Sequence, residues 1–173
     1  MNKKIKIRIA NEDDAKLLAD IGVKTFLETY SGKIDNRNLR LYTRNSFNKE
    51  KIKKEIRDMS SIFFIVFNKD VIVGYVKLNK SKNPKELKNA KAIEIERTYL
   101  LKKFRGKGIG RNLMKKCIML AKKEGFKVIW AGIWEKNKLS IAVCKRFGFE
   151  LFSSHIFKLG NLLQKDLLFK KKI

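Results

Sequence analysis

One glycine-rich segment, Arg105-Gly106-Lys107-Gly108-Ile109-Gly110, has the residue types and spacing of a phosphate-binding turn. It follows a strand-like run and precedes a segment whose apolar residues recur at helical spacing. Glycines at a strand-to-helix turn allow close approach of the backbone, and the first N–H groups of the helix point outward at its positive end. The flanking side chains are basic. The segment therefore predicts a cradle for the pyrophosphate of a cofactor.

Two well-known phosphate-binding patterns do not fit this segment. A P-loop requires four residues between its first glycine and a Gly-Lys-Ser/Thr, and the chain contains no such run. A dinucleotide fingerprint would need glycine at position 111 or 113, where the chain has Arg111 and Leu113. A third pattern, Q/R-x-x-G-x-G/A, fits at every defined position.

This third pattern is the pyrophosphate loop of the GNAT acetyltransferases, and the chain resembles that superfamily over nearly its whole length. The other matching segments are Thr25–Tyr30, Gly74–Lys77, Trp130–Asn137, Arg146–Phe149 and the C-terminal stretch from His155 to Asp166. Within the superfamily, the chain is most similar to PaiA-type spermidine/spermine N-acetyltransferases. The resemblance implies an enzyme that moves an acetyl group from acetyl-CoA to a primary amine by direct attack in a ternary complex.

The alternation of apolar patterns along the 173 residues is typical of one α/β domain spanning 1–173. Strand-like runs lie at 5–9, 61–67, 71–80, 92–101, 128–133, 149–157 and near 166–170. Helix-like runs follow Asn11 and cover 48–59, 108–124 and 137–146, and the 30–47 stretch suits a loop or short helix over a binding site. The GNAT resemblance implies a central mixed, mostly antiparallel twisted sheet of six to seven strands, with splayed central strands and about four flanking helices.

The composition argues against several other classes of protein. The formal net charge is +25, but 33 lysines stand against 9 arginines and are spread along the chain, which favours a solvated coat over a specific nucleic-acid surface. No apolar run is long enough for a membrane span, and no signal region is expected, so a cytoplasmic enzyme is predicted. The two cysteines lack metal-site or disulfide spacing, and no metal is expected.

The resemblance assigns acetyl-CoA to the residues around the glycine-rich loop. The pantetheine arm is expected along the strand ending at Tyr99, Leu100 and Leu101, and against Asn137 at the start of the next helix. The phosphates are expected on the loop and on basic or polar side chains nearby. The predicted cofactor-binding residues are Tyr99, Leu100, Leu101, Arg105, Gly106, Lys107, Gly108, Ile109, Gly110, Arg111, Asn137, Ser140 and Arg146.

Three residues are candidates for proton transfer. Alternation along a strand would place Glu94 and Glu96 on one face together with Thr98 and Leu100. By resemblance, Glu94 falls where several family members have a catalytic base, and Glu96 is a second candidate. The family's general-acid tyrosine is replaced by Cys144. Either this thiol protonates the leaving thiolate, or another group or water does, or turnover is slow, or the thiol only packs beside the cofactor.

The amine acceptor is predicted to meet acidic and aromatic side chains, here Glu28, Tyr30 and Glu135. Only 17 residues are acidic, and four of them, Glu28, Glu94, Glu96 and Glu135, fall on segments around the acceptor mouth, which favours a cationic amine such as spermidine or spermine. The alternatives are another amine (a protein N-terminus, an aminoglycoside or an amino-acid-like acceptor) and a weakly catalytic CoA-binding module with nucleic-acid affinity. A homodimer is left open.

Overall fold

The computed structural model describes residues 5–173, which form seven β-strands and five α-helices. The strands are β1 (Ile5–Ile9), β2 (Ser61–Asn68), β3 (Val71–Asn79), β4 (Ala92–Leu100), β5 (Val128–Trp134), β6 (Glu150–Leu159) and β7 (Leu162–Lys172). The helices are α1 (Ala15–Tyr30), α2 (Asn36–Ser46), α3 (Lys49–Arg57), α4 (Ile109–Lys123) and α5 (Lys138–Arg146).

Local sequence explains where most helices begin. Asp35, Asn48 and Asn137 precede α2, α3 and α5, and each side chain accepts a hydrogen bond from a backbone N–H of the first turn. Helix α4 is different, because it follows Gly108 in the left-handed conformation and has no capping side chain. The first N–H groups of α4 therefore remain available to a ligand.

The strands form one sheet in the order β1-β2-β3-β4-β5-β7-β6. Every neighbouring pair is antiparallel except β4 and β5. Helix α4 covers one face, where Leu113 and Cys117 pack with Ile93 of β4. Helices α1 and α3 cover the other face, where Leu18 and Ile52 pack together. The predicted mixed, mostly antiparallel sheet is confirmed.

The helix count is one higher than the expected number of about four. The additional helix is α2, in the 30–47 stretch for which a loop or short helix was expected. Its apolar side chains are few, but Leu39 is buried beside Phe26 of α1 and Phe47. Tertiary packing thus stabilises a helix that its own sequence pattern indicates only weakly.

The two central strands separate soon after they meet. The parallel strands β4 and β5 pair only at Ala92–Val128, Ile93–Ile129 and Glu94–Trp130, although both continue beyond these pairs. Each strand is held on its outer side, β4 by β3 and β5 by β7. The result is a gap in the middle of the sheet that opens at Glu94, as predicted.

A β-bulge in β4 corrects the predicted alternation. The register with β3 shifts so that Lys77 pairs with Arg97 and Leu78 pairs with Ile95, which leaves Glu96 without a partner. A bulge turns consecutive side chains toward one face. Glu96 therefore bonds to Lys77, on the α1–α3 side of the sheet, whereas Leu100 packs in the core beneath α4. Glu94 and Glu96 do not share a face with Leu100.

The close contact between β3 and β4 makes a prediction about Gly74. A Cβ atom at this position would collide with the carbonyl oxygen of Tyr99 and lie 3.0 Å from the Cα of Leu100. Both obstacles are backbone, so β4 would have to move. We expect Gly74→Ala to lower the free energy of unfolding by about 1–3 kcal/mol in urea titrations.

Gly110→Ala is the control for this substitution. A Cβ atom at Gly110 would meet nothing within 4 Å, and alanine is favoured over glycine inside a helix. This variant should be as stable as the parent protein or slightly more so. Equal stability of the Gly74→Ala variant would contradict the proposed packing.

Candidate active site

The predicted pyrophosphate loop lies at the start of α4 in the expected form. Gly106 and Gly108 have φ angles of +74° and +78°, which other residues adopt only with strain. Cβ atoms added at Gly106, Gly108 or Gly110 would meet no atom within 4 Å, so the surface above the loop is open. The first turn of α4 contains no acidic residue. Free N–H groups, open space and a positive helix end fit a pyrophosphate.

Two hydrogen bonds tie this loop to the end of α1, one between Arg105 and Thr29 and one between Lys102 and Glu28. The guanidinium of Arg105 donates to the carbonyl oxygen of Leu100 and to Oγ1 of Thr29, both at 2.9 Å. The carboxylate of Glu28 accepts a hydrogen bond of 2.6 Å from the backbone N–H of Lys102. Arg105, predicted to bind cofactor, and Glu28, predicted to bind substrate, thus both make contacts that fix the loop.

The other predicted cofactor residues differ in whether their side chains are exposed to a ligand. Ile109 and Leu101 are buried in the core, so their side chains are not available to a ligand, and the Leu101 N–H already donates to the carbonyl oxygen of Val73. Lys107 and Arg111 are exposed beside the loop. Arg146 is exposed at the opposite end of α5 from Asn137.

Asn137 lies where β5 gives way to α5. Its side-chain oxygen accepts a hydrogen bond of 3.2 Å from the backbone N–H of Ser140, so this oxygen is used as a helix cap. The same side chain lies beside the phenol of Tyr30. Asn137, Ser140 and Tyr30 therefore meet at the far end of the gap, and their predicted ligand contacts remain predictions.

Glu96 is held in a network of buried charges. Its carboxylate accepts hydrogen bonds from Lys77 at 2.8 Å and from Asn79 at 3.1 Å. Arg97 makes two hydrogen bonds, of 2.8 and 3.0 Å, to Glu55 of α3. Burial alone would raise the pKa of Glu96, but the charges of Arg97 and Lys77 together lower it. Glu96 is therefore ionised.

Glu94, two residues earlier, has the opposite environment. It lies at the point where β4 and β5 separate, and within the described chain its carboxylate has neither a hydrogen bond nor an ion pair. Burial, together with the negative charge of Glu96, raises the pKa of Glu94 to about 8. A carboxylate of this kind can accept a proton near neutral pH, as a general base must.

Cys144 faces the protein interior from α5. The side chain is 5% exposed and packs in the cluster that contains Ala131 and Phe149. Burial raises the pKa of its thiol to about 11, so the thiol stays protonated. The sequence leaves four possible roles open for Cys144. These surroundings favour the one in which the thiol only packs.

Aromatic side chains line the α1–α2 side of the gap. The rings of Tyr30 and Trp134 lie 5.6 Å apart, and those of Tyr42 and Phe157 lie 6.0 Å apart. Burial, with a further contribution from Asp166, raises the pKa of Tyr30 to about 12. Glu135 is half-buried just beyond Trp134, where its backbone N–H donates to Lys165.

Several functional candidates were missed at the level of sequence. Lys77 and Arg97 interrupt apolar strands, and a charge inside such a run is a signal for a buried ion pair that could have been used. Asp166 and Gln164 were noted only as part of the family resemblance, and their strand was expected to be much shorter than β7 is. Among residues 5–173, no group of His, Cys, Asp and Glu side chains is arranged to hold a metal ion.

Comparison with known proteins identifies the family of this chain. The model of the acetyltransferase (GNAT) family matches residues 24–149. An uncharacterised N-acetyltransferase in the pepI 3′ region of Lactobacillus delbrueckii subsp. lactis is 28% identical, with 98% of each chain covered. The spermidine N(1)-acetyltransferase of Thermoplasma acidophilum is 23% identical, with 97% of each chain covered.

A solved structure of the PaiA N-acetyltransferase from Thermoplasma acidophilum, in complex with coenzyme A, superposes with a TM-score of 0.81. It is 21% identical, and the alignment covers 98% of this chain and 99% of that one. The fold, the loop and the family match together show that this chain belongs to the GNAT acetyltransferase family. It is an N-acetyltransferase, and its glycine-rich loop fits the pyrophosphate of acetyl-CoA. No helix among residues 5–173 is long and apolar enough to span a membrane.

The two ends of α4 offer a matched test of the loop. Gly108 and Gly125 both have a φ of +78°, but Gly125 lies at the C-terminal end of the helix. Alanine at either position should cost about 1 kcal/mol of stability, because L-residues are strained in this conformation. Only Gly108→Ala places a methyl group in the open space above the loop. We expect it to weaken CoA binding at least tenfold by calorimetry.

Gly125→Ala should keep the parent affinity for CoA despite a similar loss of stability. If both variants bind CoA equally well, the loop does not hold the pyrophosphate.

The raised pKa of Glu94 also predicts how stability depends on pH. Between the ordinary glutamate pKa of 4.5 and about 8, the unfolded chain releases this proton while the folded chain keeps it. The contribution of Glu94 to stability therefore falls as the pH rises through this interval. Glu94→Gln removes the effect, so urea titrations should show the variant gaining stability relative to the parent from pH 5 to pH 8.

Asp70→Asn, in the exposed β2–β3 turn, is the charge-matched control. Its curve of stability against pH should be parallel to that of the parent protein. A Glu94→Gln curve that is also parallel would show that Glu94 titrates normally.

Proposed function

We propose that this protein acetylates a primary amine of a polyamine, such as spermidine or spermine, and uses Glu94 as the general base. One observation supports this most strongly: an unpaired carboxylate lies where the central strands separate, next to a second carboxylate that is held ionised. An acceptor that approaches the gap from the α1–α2 side meets both groups. This pairing suits a cationic amine that must lose a proton before it reacts.

The cofactor side of the gap follows from the loop. When bound, acetyl-CoA supplies an acetyl group that is activated as a thioester. The N–H groups at the start of α4 and the exposed Lys107 and Arg111 would hold its phosphates. Arg105, through Thr29 and the Leu100 carbonyl, keeps the loop fixed against α1. Positioning of two reactants in one gap supplies a large part of the rate.

The two glutamates take different parts in proton transfer. Glu96 remains ionised over the working range and attracts the protonated amine. Glu94 in its ionised form accepts the proton that the acceptor nitrogen gives up. Because the pKa of Glu94 is about 8, the active form accumulates as the pH rises through that value. Cys144, with a buried thiol, has a packing role in this proposal.

The polyamine assignment is supported by the local charge and by one relative. The carboxylates at the gap stand out in a chain of net charge +25. The Thermoplasma relative, aligned over 97% of both chains, is a spermidine N(1)-acetyltransferase.

Glu94→Gln tests the base. We expect kcat with spermidine to fall about 10²–10³-fold, because a positioned base contributes about this much to proton transfer. The apparent KM for acetyl-CoA should stay within about twofold. In the parent protein kcat/KM for the amine should rise with pH to a plateau above about 8, and the variant should lose this dependence.

Asp70→Asn is again the control, because it removes one exposed carboxylate that has no assigned part in the site. The acceptor is tested by measuring CoA release with spermidine, spermine, an aminoglycoside and an N-terminal peptide. Turnover with the peptide alone would overturn the polyamine assignment but not the role of Glu94.

A further inference from the structure

Gln164 on β7 has a buried hydrogen-bond acceptor that nothing satisfies. The residue is 8% exposed, and its Oε1 atom has no partner among residues 5–173. Its Nε2 atom donates to Oδ1 of Asp166 at 3.4 Å, which fixes the orientation of the amide, since the reverse would bring two oxygens together. A buried acceptor without a donor destabilises a protein, so this oxygen is suited to a ligand that donates a hydrogen bond.

The neighbouring carboxylate of Asp166 is half-buried on the same face. Asp166 pairs with Trp134 of β5 and with His155 of β6. Burial, opposed by His155 and by the hydrogen bond from Gln164, raises the pKa of Asp166 to about 6. At neutral pH the carboxylate is therefore largely ionised, and within the described residues it has no cationic partner in an ion pair.

The absent side chain of Gly132 in β5 leaves space beside this carboxylate. A Cβ atom there would lie at ordinary contact distance, 3.4 Å from Cδ2 of Leu168 and 3.9 Å both from Oδ2 of Asp166 and from Nε2 of His155. The rings of Tyr30, Trp134 and Phe157 lie around the same region, and Tyr30 is close enough for Asp166 to affect its titration. Ionised carboxylate, unpaired carbonyl oxygen and aromatic faces are the groups that bind an ammonium ion.

We propose that Asp166 and Gln164 form a cation subsite that binds a second, unreacting ammonium group of the acceptor. The subsite rests on the proposed polyamine acetylation, because it gives that reaction its preference for amines with more than one charge. Tyr30 and Trp134 form its walls, and the ammonium donates to Oε1 of Gln164 and to the carboxylate of Asp166.

The position of the subsite restricts the shape of the acceptor. Glu94 pairs with Trp130, whereas Asp166 pairs with Trp134, four residues further along β5. This is an advance of about 13 Å between the backbone positions. The carboxylate of Asp166 reaches back to Gly132, about 7 Å along β5 from Trp130, and two strand spacings of about 5 Å each separate β4 from β7. An acceptor with its reacting nitrogen at Glu94 can place a second nitrogen at Asp166 only if the chain between them is long. Elongated polyamines meet this requirement, and short diamines do not.

The test compares spermidine with n-butylamine, which has a reacting nitrogen but no second charge. In the parent protein, kcat/KM should be much higher for spermidine. Asp166→Asn, with its shape retained, should lower kcat/KM for spermidine at least tenfold, mostly through KM, and change that for n-butylamine less than twofold. Gln164→Met should act in the same direction while leaving the protein at least as stable, because it removes the unsatisfied oxygen.

Asp70→Asn should behave like the parent protein with both amines. If Asp166→Asn and Gln164→Met keep the full preference for spermidine over n-butylamine, the proposed subsite is wrong. This holds whether or not the proposed polyamine acetylation is correct. If the parent protein acetylates no polyamine, the subsite is judged by calorimetry with spermidine alone. Binding that is lost in Asp166→Asn would then support it, and the absence of binding to the parent protein would overturn it.

Discussion

The early separation of β4 and β5 determines the arrangement of every group in the site. Three residue pairs join these parallel strands, and beyond Glu94 and Trp130 their facing edges are left open in the middle of a sheet. Open strand edges invite pairing with another extended group. The glycine-rich loop lies at the end of one open edge and Asn137 at the end of the other. A ligand that fills the gap is therefore held between a positive helix end and the reacting centre.

The second constraint is that Glu94 and Glu96, only two residues apart, must have different pKa values. The bulge at Glu96 makes this arrangement, because it directs Glu96 toward Lys77 while Arg97 reaches Glu55 of α3. Buried charges of this kind are expensive and are tolerated when each is paired and hydrogen-bonded. Glu94 has no such partner, and the ionised Glu96 adds to the effect of burial. Environments that separate the pKa values of two neighbouring groups are typical of acid–base chemistry.

Spacing within single segments could be read from the sequence, whereas contacts between segments could not. The loop and the α/β order depend on local patterns, and they were predicted with nearly correct bounds. The bulge was missed because it depends on the register with β3. The contacts of Arg105 with Thr29 and of Glu28 with Lys102 could not be read from the sequence, because each partner lies across the fold. A loop or short helix was expected at α2, because this segment has few apolar residues and depends on packing against α1.

A net charge of +25 is compatible with the proposed binding of a cationic amine. Most of the lysines are exposed, and salt screens their charges over about 8 Å at physiological ionic strength. They reduce the rate at which a polyamine approaches but contribute little once it lies within the gap. There the nearest charges decide, and at neutral pH they are the half-buried carboxylates of Glu96 and Asp166, in surroundings of low dielectric constant. The exposed lysines and the carboxylates at the gap are therefore compatible, because their charges act on the amine at different distances.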